Sequence, residues 1–229
     1  MPSPLTTREQ LAGIFDHTLV EPGLTTAQVL AGLELAKRCG VASATVRPCD
    51  IEMAARTLEN SPVRPGSVVA FPLGIQTTSV KLYELRDLLR RGAREIDMVI
   101  SIPRLVSREF QHVQTELDQA ADECRKQAAI LKIVLENQFL SEEMKIVACR
   151  CCSRAGVDFV AASGWSAEDL KLMRRHLPPE IGIKAAGGLS ALDQVLEARD
   201  AGAARIGTSA TAAILEEWAI RNPTPPSVC

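Results

Sequence analysis

Two charges sit where charge is costly. Asp97 interrupts the apolar run EIDMVI, and Lys184 interrupts GIKAAGG. An ammonium or carboxylate on a buried strand is penalised unless it is paired or used. A structural ion pair is one reading. The other is a pair that moves protons or activates a carbonyl, and two lone charges facing one pocket favour it. Just downstream lie Gly187 and Gly188, and later the run Gly207, Thr208, Ser209 and Ala210. Glycine amides and small hydroxyls at neighbouring strand ends can seat an anion, a phosphate above all. Glu136 is either a general acid/base or an anchor for other groups. His17 reads better as a satisfied structural residue than as a catalyst, and His112 and His176 lie on solvated helical patterns. With three histidines, a metal site built from several imidazoles is not expected. No G-x-G-x-x-G follows a strand, so no dinucleotide cofactor is expected either.

These residues need a frame that brings them to one place. The chain alternates short β-type runs with amphipathic stretches. Gly40, Gly92, Gly156 and Gly202 each close a helical pattern just before an apolar run. Strands are expected around Phe15–Leu19, Ala42–Val46, Ser67–Phe71, Glu95–Ile100, Leu131–Glu136, Phe159–Ala162, Gly182–Ala185 and Arg205–Gly207. Ser141 and Ser166, each followed by acids, mark helix starts. Eight βα units in 229 residues point to a single-domain α/β protein, a closed (β/α)8 TIM barrel over 1–221. A Pro-rich tail over 222–229 follows. In such a barrel the site lies at the C-terminal ends of the strands. That adds Asp16, Thr18, Arg47, Ser101 and Ser163 to the candidates.

Composition narrows the class. A net charge of −2 without a basic cluster argues against a nucleic-acid surface. No run approaches a membrane span, and Met1–Gln10 has no signal core, so the cytoplasm is the expected location. The seven cysteines, with Cys149, Cys151 and Cys152 clustered, read as reduced structural thiols rather than a metal site. The expected partner is a small phosphorylated molecule. A homo-oligomer is left open.

FDHTLVEP at the first strand, FPLGIQTTSVK after the third, EIDMVIS, GIKAAGG and ARIGTSA stand in an order and spacing that resemble the deoxyribose-phosphate aldolases over nearly the whole chain. The resemblance implies a class I lyase of deoxyribonucleotide catabolism, reversibly joining acetaldehyde to glyceraldehyde 3-phosphate through an imine on a strand-six lysine. By position, Asp97 matches the proton-moving aspartate and Lys184 the strand-seven lysine that tunes the nucleophile. Gly187, Gly188, Gly207 and Ser209 match the phosphate seat.

The pocket departs from that pattern. Strand six reads FVAASGW, so Ala161 stands where the imine-forming lysine belongs. The loop after it, with Gly164 and Trp165, is shortened, although Gly164 remains a candidate phosphate contact. Arg47 and Ser101 replace asparagines, Glu21 stands where lysine is common, and Asn137 and Gln138 follow Glu136. Arg47, Ser101 and Trp165 are thus candidate pocket-shaping residues. So many coordinated differences indicate a natural divergent paralogue. Lys184 could relocate the imine. An ordinary lysine is neutral in only about one molecule in 2,500 at pH 7, however, and Asp97 nearby favours the ammonium. Lys132 lies too early on its strand to substitute. Three functions stay open: a lyase with Lys184 as nucleophile, an enzyme of non-imine chemistry, or a phosphate-ester binding protein without turnover.

Overall fold

Pro65 near its start and Ala70 just past its end set the limits of the third strand, the one whose extent differs most from the sequence expectation. In the computed structural model, which describes residues 5–223, that strand spans Arg64–Val69 rather than Ser67–Phe71. Its early start is fixed by Arg64 N–H donating to the Ala42 carbonyl and Arg94 N–H donating to that of Pro65. Ala70 adopts a left-handed φ of 55° and gives its N–H to the Glu84 carboxylate at 2.9 Å, which turns the chain out of the sheet.

The other strands fall within a residue or so of expectation. They are β1 Phe15–Leu19, β2 Ser43–Val46, β3 Arg64–Val69, β4 Glu95–Val99, β5 Ile130–Glu136, β6 Phe159–Ser163, β7 Gly182–Ala186 and β8 Arg205–Thr208. Each pairs in parallel with the next, and β8 returns to β1, closing the barrel. The helices are α1 Arg8–Ala12, α2 Thr26–Cys39, α3 Ile51–Thr57, α4 Thr78–Arg90, α5 Ile102–Val106, α6 Phe110–Lys126, α7 Glu142–Ala155, α8 Ala167–His176, α9 Leu192–Asp200 and α10 Thr211–Arg221. The chain is thus a single-domain (β/α)8 barrel. The expected tail lies outside the described residues from 224 onward.

Local chemistry explains the punctuation. The hydroxyls of Ser141 and Ser166 accept from the N–H groups of Met144 and Asp169, satisfying donors that the first helical turn leaves open. Gly40 and Gly156 end α2 and α7 at φ 65°, a conformation that would strain a residue with a Cβ.

The apolar core is the layer between barrel and helices, filled by Leu, Ile, Val and Ala with the thiols of Cys149 and Cys152. All six described cysteines are free, and burial pushes the Cys149 thiol up to about 12. No helix among the described residues is long and apolar enough to cross a membrane.

Candidate active site

Strand alternation sends every second side chain into the barrel, and here that interior is charged. Asp16 on β1 with Glu95 and Asp97 on β4 meet Lys132 on β5, Lys184 on β7 and Arg205 on β8. Lys132 Nζ lies 2.8 Å from Asp16 Oδ2, 2.5 Å from Glu95 Oε2 and 3.1 Å from Asp97 Oδ1, with Lys132, Asp16 and Glu95 fully buried. The contacts to Glu95 and Asp97 are ionic, without hydrogen-bond alignment. Lys184 Nζ sits 2.5 Å from Asp97 Oδ2 and 2.9 Å from Asp16 Oδ2. Arg205 reaches Asp16 Oδ1 at 2.6 Å and Glu95 Oε1 at 3.5 Å.

Register fixes these meetings. Asp97 pairs with Lys132 across β4–β5, and Lys184 with Arg205 across β7–β8. Burial alone would raise the Asp16 carboxyl. Lys132, Lys184 and Arg205 together hold it well below the usual carboxylate range. Burial would likewise lower the Lys132 ammonium, and Asp16, Asp97 and Glu95 instead raise it above its ordinary value.

Over this layer opens a cavity of about 360 Å³ at the C-terminal ends of the strands. Asp97 and Lys184 border it. So do Thr18, Ala161, Gly187, Gly188, Gly207, Thr208 and Ser209, so most of the sequence candidates converge on one space. Ala161 is opposite Lys184 in the β6–β7 register, beside the ammonium. Gly207 also packs against this lysine: a Cβ there would lie 2.9 Å from Lys184 Cε.

The remaining candidates fall elsewhere. Asp16 does not line the cavity; its carboxylate lies against the lining residue Lys184. Arg47 does not reach the cavity. Its Nε donates to Asp50 at 2.6 Å, and its Nη1 donates to the carbonyls of Glu21, Pro22 and Leu24, fastening the β1–α2 loop. Ser101 borders a separate cleft beside Thr77 and Thr78. Trp165 packs half-buried against the core. Gly164, at φ 65°, donates its N–H to the Ala186 carbonyl at 3.1 Å and supports the rim from outside. Thr208 lines the cavity, but its hydroxyl is engaged, donating to the Leu189 carbonyl and accepting from Ala210 N–H, so it ties two rim loops together. Ser163 lines the cavity, and Glu136, buried and not itself lining, is its hydrogen-bond partner. Burial raises its carboxyl, offset in part by a hydrogen bond from Ser163. His17 faces outward, its Nδ1 2.9 Å from Thr211 Oγ1, and burial pushes it down to about 4, which leaves it neutral.

Glu95, Lys132 and Arg205 were not among the sequence candidates. They stand at or near strand starts, where a charge reads as a solvated boundary. The parity of Glu95 with Asp97 was the available signal, because residues two apart share a face.

A closed barrel whose strand ends gather a lysine–aspartate pair and a glycine rim around one cavity is a scaffold for small-molecule chemistry. Relatives sharpen this. A protein of Clostridium perfringens strain 13 named deoxyribose-phosphate aldolase is 37% identical over 215 residues, covering 91% of this chain and 96% of the relative. One of Bacteroides thetaiotaomicron with the same name is 38% identical over 216 residues, 92% and 91% of the two chains. The solved deoxyribose-phosphate aldolase of Aeropyrum pernix, described as tetrameric, superposes with a TM-score of 0.86 at 28% identity, covering 93% of each chain. No family model matches. The chain belongs to the deoxyribose-phosphate aldolase family, whose members are carbon–carbon lyases.

Proposed function

We propose that the protein cleaves a small 3-hydroxy-aldehyde or sugar phosphate without an imine, using Lys184 as a fixed ammonium and Asp97 as the proton acceptor. The observation that carries this reading is the position of Lys184 Nζ, between two carboxylates at 2.5 and 2.9 Å and at the cavity edge. An ammonium seated between two carboxylates has no lone pair with which to attack a carbonyl. Ala161, beside it, offers no second amine.

In this reading Asp97 takes the proton of the substrate's 3-hydroxyl as the C2–C3 bond breaks. The hydroxyl carbon becomes a new carbonyl, and the bonding pair moves into the original carbonyl to form an enolate. The Lys184 ammonium stabilises the enolate oxygen. The proton held by Asp97 then returns to the enolate carbon, releasing the second aldehyde and restoring both side chains. Gly187, Gly188, Gly207 and Ser209 would hold the far end of the substrate.

Borohydride reduction in the presence of acetaldehyde or deoxyribose 5-phosphate, read by peptide mass spectrometry, tests the chemistry. The expected result is no mass gain on Lys184, with cleavage that borohydride does not block. Lys184→Ala or Asp97→Asn should lower cleavage by about 10²–10⁴-fold. A reduced adduct on Lys184 that disappears in Lys184→Ala would establish the relocated nucleophile instead.

The same reading places the protein in the cytosol as a homo-oligomer. Free buried thiols support a reducing compartment, and exposed Leu73, Ile75, Val80 and Tyr83 on and before α4 offer an apolar contact face.

A further inference from the structure

We propose that Glu21 makes the cavity rim selective for an uncharged, hydroxyl-bearing substrate tail over a phosphate dianion. The inference rests on the lyase reading above and decides between the two tails which that reading leaves open.

The charge around the cavity is the starting point. Its lining holds one cation, Lys184, against two carboxylates, Asp97 and Glu21. Lys184 is already shared by Asp97 and Asp16 at the floor, so it has no free charge to offer a distant phosphate. At the rim, where a tail would lie, the only ionisable lining residue among the described residues is Glu21.

Topology puts Glu21 beside the anion seat expected from sequence, on the same cavity lining. Strand β1 pairs with β8, Asp16 opposite Gly207 and His17 opposite Thr208. The chain beyond β1, through Val20 to Glu21, therefore rises next to Ser209 and Ala210. The main chain at Glu21 is also fixed there. Arg47 binds the carbonyls of Glu21, Pro22 and Leu24, while its own charge is met by Asp50 at 2.6 Å. Among the described residues no cation pairs with the Glu21 carboxylate.

Hydrogen-bond chemistry gives the preference its sign. Rim amides and the Ser209 hydroxyl can donate, whereas Glu21 can only accept. A phosphate dianion can only accept as well, so beside Glu21 it meets repulsion that the amides and the N-terminus of α10 offset only in part. A hydroxyl does both, accepting from an amide and donating to Glu21. A carboxylate at the entrance thus works against one ligand class while serving the other.

Binding of 2-deoxyribose and of deoxyribose 5-phosphate is measured by calorimetry on the native protein, Glu21→Gln and Glu21→Lys, with cleavage of both sugars followed in parallel. The native protein should bind the phosphate ester no more tightly than the free sugar. Glu21→Lys should shift the ratio toward the ester by about tenfold or more, with Glu21→Gln between the two. Tighter binding of the ester by the native protein, a ratio unmoved by either variant, or no binding of either sugar by any of the three proteins overturns the proposal. Failure of the lyase reading shows separately, as binding without cleavage. Glu21 is exposed, so neither variant threatens the fold.

Discussion

Lys132 and Lys184 hold the same two carboxylates, Asp16 and Asp97, yet one lies sealed in the barrel floor and the other borders open space. Lys132 has a third partner in Glu95 and no exposed surface. Lys184 has two partners and faces the cavity. Charge alone therefore does not mark the reactive group. A buried lysine met by carboxylates on every side is part of the framework, and the same residue type becomes chemically useful where one side is left for a ligand.

The largest expected effect tests this contrast directly. Lys132→Met removes the one cation shared by all three buried carboxylates, in a space closed to water, and should destabilise the protein by about 3–5 kcal/mol in denaturant melts although Lys184 and Arg205 remain as partners. Lys184→Met, whose carboxylates keep Lys132 and gain access to cavity water, should cost about 1–3 kcal/mol while lowering cleavage as far as Lys184→Ala does. Equal losses of stability would erase the distinction.

Next comes a pH effect from the other face of β1. His17 is held neutral, at about 4 against an ordinary 6.5. The unfolded chain therefore takes up the proton first. The contribution of His17 is complete above pH 6.5, falls as the pH drops toward 4, and is level below that, a total of about 3 kcal/mol. Asp16, shifted downward, keeps its contribution until the pH falls below the ordinary carboxylate value of 3.8, so the two arms separate along the pH axis. His17→Gln should flatten the upper arm in melts from pH 7 to 4 and leave the lower one.

The smallest effect concerns placement. In Gly207→Ala the new methyl meets Lys184 Cε at 2.9 Å and Ala186 Cβ at 3.1 Å. The methylene stem of the lysine can shift slightly without breaking its ion pairs, so kcat should fall about tenfold while the melt moves by less than about 1 kcal/mol. An unchanged kcat would mean that the position of Lys184 does not matter to the reaction.

Much of this architecture was readable in the chain. Glycine-closed helices at Gly40, Gly92, Gly156 and Gly202 marked the strands that follow them, apolar runs alone marked the other four, and Asp97 and Lys184 stood out because each breaks an apolar strand. The third strand was displaced because its limits depend on Pro65, Ala70 and the long-range bond to Glu84, none of which leaves a periodic signal. Glu95, Lys132 and Arg205 were hidden by their places at or near strand starts. Their role follows from register across the closed sheet, which one strand read alone does not carry. Arg47 looked like a pocket residue because it follows β2, but the nearby carbonyls of the β1–α2 loop capture its guanidinium first.

The interior charges are also sorted along the chain. Asp16, Glu95 and Asp97 all come from β1–β4, and Lys132, Lys184 and Arg205 all come from β5–β8. Neither half-barrel could exclude water from its own centre, since one would enclose only acids and the other only bases. Each half needs the other before its interior can dry, so closure of the ring and neutralisation of its axis are one cooperative event. The protein thereby carries within a single chain the complementarity expected of two subunits made for each other.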